Sequence, residues 1–340
     1  MEKKRTGERA TIKDVAADAG VSIGTVSRYI NGLNIRKDNR AAVEESIRKL
    51  QYRTDHFARS MKTGKSQSIG LIISGYDEFN MGVLSTLARK FQETGYALTT
   101  YHHEGQLDLF DKAMEQLLER NFDALAMSGL NCRRGRLEQL LDQGKPVVVF
   151  NNEVPGMDID RVFAKDFEAV RSAVGHLLAM NHRRIGFITG NLQDSTAVNR
   201  YNGYRQALKD GGIAENSSLV FEGTWNTRAG YFGAKNLLSQ SKAPTALFAS
   251  NYLIAIGMLR ALEEMGRRIP EDVSVISFDD TPFFPIFRPS ITAIAQSAEE
   301  MGQNVASLLL DRLSGAYSGA ARELRLDCRL ILRDSVRVLP

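Results

Sequence analysis

The sequence predicts a small all-α headpiece built on a helix-turn-helix, followed by a two-lobed α/β module with parallel sheets. Three observations carry this. Two short helical faces, over 12–19 and 23–30, meet across Gly20. The excess of basic charge is confined to the first 65 residues. From Ile69 onward, apolar runs alternate with stretches of helical period, and the alternation occurs as two successive sets.

The headpiece reads in order. Thr11 is a good N-cap, and Asp14 can answer it from the first turn. Ile12, Val15, Ala16 and Ala19 then share one face. Gly20 stops the helix and Ser22 caps the next one. In the second helix Val26, Tyr29 and Ile30 turn inward, whereas Ile23, Gly24, Ser27 and Arg28 lie on the opposite face. Such a pair places its second helix in the major groove of DNA. An ordinary αα-hairpin has the same shape, so charge has to separate the two. Residues 1–65 hold fifteen Lys/Arg against eight Asp/Glu, net +7, while the remainder holds twenty-nine against thirty-two, net −3. A solvated tail explains Lys3, Lys4 and Arg5, but not charges spread through a patterned helical unit. The basic segment is expected to meet phosphates.

Thr11-Ile-Lys-Asp-Val-Ala, Val21-Ser22-x-x-Thr25-Val26-Ser27-Arg28 and Asn31 resemble the opening of the LacI/GalR family of bacterial transcriptional regulators. The likeness continues along nearly the whole chain. It implies DNA contacts from Thr11, Ser22, Ile23, Gly24, Thr25, Ser27, Arg28 and Asn31. Val43, Ile47 and Leu50 predict a third helix that closes the headpiece near Tyr52, with Arg36 standing where many relatives cap with Ser. The resemblance makes 1–53 the DNA-binding headpiece and 54–68 a hinge helix and linker. The hinge would place Ala58, Arg59 and Met61 on DNA, Met61 replacing the usual Leu that wedges a base step. A helix so short forms only against something that packs on it.

Residues 69–340 read as the effector-binding and dimerisation module. Ile69–Ile73, Ala97–Tyr101, Ala124–Met127 and Val147–Phe150 are expected strands, separated by helical stretches near 81–94, 108–120 and 134–143. A second set follows Lys165 and Asp166: a helix near 168–180, then strands at Arg184–Thr189, Leu219–Phe221, Ala246–Ala249 and Val273–Phe278. The family's periplasmic-binding-protein-like core implies three crossings between lobes, near 165, 295 and 326. One lobe would then take 69–165 and 296–325, the other 166–295 and 326–340.

Other chemistries are disfavoured. Gly20-Val-Ser22-Ile-Gly24 matches the letters of a nucleophile elbow, but a helix rather than a strand precedes it. No G-x-G-x-x-G and no Walker A loop occurs. His102 and His103 are adjacent, so on a strand they point to opposite faces, and H-E-x-x-H is absent. The expectation is no catalysis, no cofactor and no metal. No apolar run of roughly eighteen residues exists, and the N-terminus is polar and basic, which predicts a cytoplasmic protein with Cys132 and Cys328 as free thiols.

Ligands of open α/β sheets bind at strand C-termini. There the resemblance assigns effector contacts to Arg200, Asn251 and Asp279, with Trp225 offering a ring to stack on a sugar face. Asn151 stands where many relatives have Asp, and Phe79 and Tyr76 lie in a loop without the usual Asn-Pro-aromatic motif. A forked donor, an amide and a carboxylate suit a sugar or related polyol. With a neutral ligand Arg200 needs a second partner in the protein, and Asp279 is the expected one. The reading is a dimeric, sequence-specific transcriptional regulator of repressor type, binding pseudo-palindromic operator DNA under control of a small-molecule effector. A stand-alone solute-binding protein is the alternative, opposed by the basic headpiece, and an α/β enzyme comes third.

Overall fold

The computed structural model describes residues 10–30, 32–52, 65–128 and 134–340. They fall into two units, one up to Ser66 and one from Gln67 to Pro340. The expected contacts Asn31, Ala58, Arg59 and Met61, and Cys132, lie outside the described residues.

In the first unit α1 (Ile12–Asp18), α2 (Ile23–Ile30) and α3 (Lys37–Lys49) pack around Val15, Val26 and Val43, all fully buried. Thr11 and Asp14 form a complete capping box. At the other end of α1, Gly20 takes φ +66° and lets the Val21 N–H reach back to the Ala16 carbonyl at 3.0 Å. That left-handed residue makes the turn tight, since only glycine adopts the conformation without strain. Ser46 donates to the Val15 carbonyl at 3.2 Å and ties α3 to α1. Arg36 occupies the N-cap of α3 with no side-chain cap bond, so the cap expected of many relatives is missing here.

The second unit alternates strand and helix. Its first sheet takes β1 (Ser68–Ile73), β2 (Ala97–His102), β3 (Ala124–Ser128), β4 (Val147–Phe150) and β5 (Asp160–Ala164). Helices α4 (Glu78–Glu93), α5 (Leu107–Glu119) and α6 (Arg134–Asp142) lie between these strands. After α7 (Asp166–Ala179) a second sheet begins with β6 (Ile185–Thr189), α8 (Ser195–Asp210), β7 (Val220–Glu222) and α9 (Thr227–Leu238). It continues through β8 (Ala246–Ala249), α10 (Tyr252–Glu264), β9 (Ser274–Phe278) and β10 (Thr292–Ala295). The chain then returns to the first lobe as α11 (Ala298–Ser314) and β11 (Glu323–Leu326), and ends in the second sheet as β12 (Arg329–Ile331).

Strand order is β11-β5-β4-β3-β1-β2 in one sheet and β12-β10-β9-β8-β6-β7 in the other. Every pairing is parallel except β10 with β12. Both faces of each sheet are covered. Ile69, Leu71 and Ile73 meet Leu87 and Phe91 of α4 and Val305 of α11, while Ile72 meets Phe110 and Leu117 of α5 on the other side. This two-sided burial is why the strands read as unbroken apolar runs. In the second lobe, α9 and α10 touch backbone to backbone. A Cβ on Gly230 would stand 1.9 Å from the Ile254 carbonyl oxygen, and one on Gly257 would stand 1.8 Å from that of Thr227.

Strands β5, β10 and β11 are absent from the sequence expectation, and for β5 and β11 the reason is visible. Strand β5 opens on Asp160, whose buried carboxylate is held by Arg312 (2.9 and 3.0 Å) and by the Arg322 backbone and side chain (2.7 and 3.2 Å). Strand β11 is an edge strand whose residues alternate between exposed and half-buried. Neither presents the apolar run that marks its neighbours. Among the described residues no helix is long and apolar enough to cross a membrane.

Candidate functional site

In the headpiece unit, the residues of α2 divide as its sequence requires. Val26 is buried, and the Tyr29 hydroxyl donates to Glu44 at 3.0 Å, which fixes the inner face. Ile23, Gly24 and Arg28 are exposed, with Ile23 at 47 %. An isoleucine left that open at a helix start is an apolar group without a partner in its own unit. Ser22 accepts from the Thr25 N–H at 3.2 Å, and the two hydroxyls share a bond of 3.0 Å. Ser22 is therefore a cap as well as an exposed polar group, and Thr11 has the same double character at α1. Ser27 is half-buried.

The cleft lies within the second unit, where loops of both lobes meet. From the first lobe Asp77 caps α4, accepting from the Asn80 N–H at 2.9 Å and from the Asn80 side-chain amide. That amide also donates to Ser74 at 3.0 Å. Burial, with Asp279 adding its charge, pushes the Asp77 carboxyl above the usual carboxylate range. Glu78 is shifted the same way by burial and by Asp279, Asp280 and Asp77. Phe79 packs against the first lobe's core, and Tyr76 is exposed with its ring 4.9 Å from that of His102.

The second lobe supplies the rest. Asn251 caps α10, accepting from the Ile254 N–H at 2.8 Å. Asp279 sits in the left-handed region at φ +68° and accepts from Gln296 Nε2 at 2.7 Å and the Tyr252 N–H at 3.4 Å. Arg200 does not take Asp279 as its partner. Its Nε donates to Asp166 at 2.7 Å, another N–H goes to the Ser250 carbonyl, and the guanidinium lies 3.4 Å from the centre of the Phe278 ring. Helix α7 brings Asp166 beside α8, so the ion pair closes between packed helices rather than across to the end of β9. Burial pushes the Asp166 carboxyl up, against the pull of Arg200. Cys328 is a free thiol near this pair, raised to about 12 mainly by burial, so it stays protonated.

Trp225 is half-buried. Its ring lies flat on Gly190, where a Cβ would come within 2.3 Å of the indole, and its Nε1–H donates to Asp194 at 2.9 Å. Asp194 also caps α8 and accepts from Asn152 at 3.1 Å. Asn152 in turn accepts from Ser195 and from the Thr196 N–H, at 3.2 and 3.0 Å, and the Thr196 hydroxyl donates to the Asn151 carbonyl at 3.2 Å. Asn151 itself adopts φ +62°. A polar seam thus joins the loop after β4 to the start of α8. Asp77, Asn80, Asn152, Asp166, Asp194 and Gln296 are absent from the sequence expectation. The spacing of Asp77 and Asn80 ahead of an apolar-periodic helix is a cap signal that marks the first two; for the others no local pattern exists.

Residues 11–55 match the model for bacterial regulatory proteins of the lacI family, and residues 174–336 match a periplasmic binding protein-like domain. An HTH-type transcriptional repressor PurR from Haemophilus influenzae (strain ATCC 51907 / DSM 11121 / KW20 / Rd) is 32% identical over 332 residues. The alignment spans 96% of this chain and 99% of that one. The PurR of Pasteurella multocida (strain Pm70) is 29% identical over 331 residues, with 96% and 99% covered. Among solved structures, the lac repressor dimer bound to operator and the anti-inducer ONPF aligns with a TM-score of 0.86 at 23% identity, covering 97% of this chain and 100% of that one. The transcriptional regulator CelR in complex with cellobiose aligns with a TM-score of 0.73 at 28% identity, covering 96% and 100%.

Proposed function

The chain belongs to the LacI/GalR family of bacterial transcriptional regulators, and from that premise we propose that α2 reads operator DNA while the cleft between the lobes receives the controlling ligand. As a member of this family the protein is a DNA-binding repressor under small-molecule control, and not an enzyme. The observation that carries the DNA assignment is the exposed face of α2. It presents Ile23, Gly24 and Arg28, with the half-buried Thr25 and Ser27 beside them, on a unit whose core is already satisfied. Ile23 suits a thymine methyl, Gly24 leaves room for the backbone to approach, and Arg28 can fork onto guanine. Thr11, Ser22 and Asn31 complete the headpiece contacts, with Ala58, Arg59 and Met61 contributing from the hinge.

The domains take the bounds 1–53, 54–68 and 69–340, in a protein that works in the cytoplasm as a homodimer on a pseudo-palindromic site. One headpiece buries too little surface for tight specific binding alone. Phe283 and Ile286, 60 and 67% exposed on the loop after β9, form an apolar patch of the kind that marks an interface. The cleft ligand is read as polyhydroxylated, a sugar or related polyol, met by Arg200, Asn251, Asp279, Trp225, Asn151 and Phe79.

Selection of bound sequences from random DNA, followed by anisotropy titrations, tests the DNA reading. A two-half-site consensus is expected, and Arg28→Ala should weaken binding by about 1–3 kcal/mol per half-site on the consensus but little on scrambled DNA. Equal loss on both would reduce Arg28 to a phosphate contact. No loss on either would remove it from the interface.

A further inference from the structure

The two lobes of the second unit are tied across the cleft unevenly. In one place three consecutive residues of the first lobe, Asn151, Asn152 and Glu153, meet three of the second, Asp194, Ser195 and Thr196, through five hydrogen bonds. Asn152 donates to Asp194 at 3.1 Å, and accepts from the Ser195 hydroxyl at 3.2 Å and the Thr196 N–H at 3.0 Å. The Glu153 N–H donates to Ser195 Oγ at 2.8 Å, and the Thr196 hydroxyl donates to the Asn151 carbonyl at 3.2 Å. Elsewhere, away from the segments that cross between the lobes, the described residues add a single bond. The Glu78 N–H at the start of α4 donates to the Tyr252 hydroxyl at the start of α10, at 3.3 Å.

The five-bond seam is rooted on both sides. The Asn151 N–H goes to the Val162 carbonyl of β5 at 3.2 Å and the Asn152 N–H to that of Phe150 at 2.9 Å, which fixes the loop to its sheet. Across from it, Asp194 caps α8 and holds the Trp225 indole, whose ring lies on Gly190. Tyr252 is half-buried with its ring against the second lobe's core, and its hydroxyl reaches out to an exposed residue. Glu78 is the first residue of α4, so its N–H has no acceptor within its own helix.

Bodies joined by a few crossing segments part along the route that breaks the fewest contacts. Bonds made by neighbouring groups on anchored loops have to break together, whereas the Tyr252 side loses one long bond. We propose that the lobes open on one side only, with Asn151–Glu153 against Asp194–Thr196 as the pivot and Tyr252 as the latch. Tyr252 follows Asn251 in the chain and gives its N–H to Asp279 at 3.4 Å, so the side that opens carries two of the residues read as effector contacts. Entry of a ligand from this side rests on the cleft reading; the movement itself does not.

Two backbone amides report the two places, each held by one hydroxyl of the opposite lobe: Glu153 by Ser195 and Glu78 by Tyr252. Hydrogen exchange at single-amide resolution is measured on the full-length protein without DNA or ligand, so a negative result leaves the cleft reading standing. Relative to its rate in an unfolded peptide, Glu153 should be protected about tenfold or more beyond Glu78. Tyr252→Phe should remove the protection of Glu78 and leave that of Glu153 within about twofold. Asn152→Ala deletes three of the five seam bonds without touching the one made by Glu153, and should speed exchange there about tenfold or more. Circular dichroism checks the fold of that variant, and Asn152→Ser takes its place if alanine does not fold. A smaller difference between the two amides in the parent means that the lobes part evenly and overturns the pivot. Unchanged protection of Glu78 in Tyr252→Phe overturns the latch, and unchanged exchange of Glu153 in the folded Asn152 variant overturns the seam.

Discussion

Removing Asp166 should destabilise the second unit far more than any exposed ion pair in it. The Asp166 and Arg200 side chains are 5 and 6% exposed and bonded at 2.7 Å. Pairs at the surface contribute about 0–1 kcal/mol, because water and salt screen them. A buried guanidinium left without its counter-charge costs about 3–5 kcal/mol, and that is the loss expected for Asp166→Ala. The Ser250 carbonyl and the Phe278 ring still face Arg200 in that variant, which places the loss toward the lower end. Arg200→Ala strands the carboxylate instead and should cost a similar amount. The double variant Asp166→Leu with Arg200→Met removes both charges and keeps apolar volume, so it should lie within about 1–2 kcal/mol of the parent. Urea unfolding followed by circular dichroism, at fixed protomer concentration, measures all four. A loss below about 1 kcal/mol in Asp166→Ala, or a double variant equal to the sum of the singles, would refute the reasoning.

Two further outcomes follow from particular atoms. A Cβ on Gly24 would meet only Ser22 Oγ, at an ordinary 3.6 Å, so Gly24→Ala fits and should stabilise the headpiece by up to about 1 kcal/mol through helix propensity. If the backbone there approaches bases, the same variant weakens operator binding; thermal melting and anisotropy should then move in opposite directions, and parallel improvement would place Gly24 away from DNA. His103 is buried, its Nδ1 accepts from the Gly105 N–H, and burial with the neighbouring His102 lowers it from 6.5 to about 4. Because the folded form resists protonation, its contribution is complete above pH 6.5 and is lost as pH falls toward about 4. Over that window the loss is about 3 kcal/mol, at 1.36 per unit. In His103→Gln the pH dependence of stability between these values should flatten by about one proton, and an unchanged slope would exclude His103 as its source.

How far the chain could be read differs between its parts for physical reasons. The headpiece helices and the turn between them are set by spacings of a few residues, although the core and the Ser46 bond to Val15 join residues farther apart. The capping box at Thr11, the turn at Gly20 and the inward set Val15, Val26 and Tyr29 are accordingly all written locally. The inner strands β1, β3, β4, β6, β8 and β9 are buried on both faces and announce themselves as apolar runs, whereas β5 and β11 carry polar residues that answer to Arg312, Arg322 and the sheet edge, and the short β10 was not read.

The cleft is where local reading ends. The resemblance points to Arg200, Asn251 and Asp279, and with a neutral ligand it leaves Asp279 as the expected partner of Arg200. The partner that binds Arg200, Asp166, lies thirty-four positions earlier and arrives only because α7 packs on α8. Likewise Asp77 and Asp279 are 202 positions apart (279 − 77), and nothing near either announces the other. What the sequence by itself determined is most of the elements, short of β5, β10 and β11, and the class of regulator, because periodicity, caps and a long motif are properties of neighbours along the chain. The tertiary structure alone decided which charges are paired inside the fold, because a Coulomb interaction depends on separation in space and on burial, and neither is a function of position in the chain.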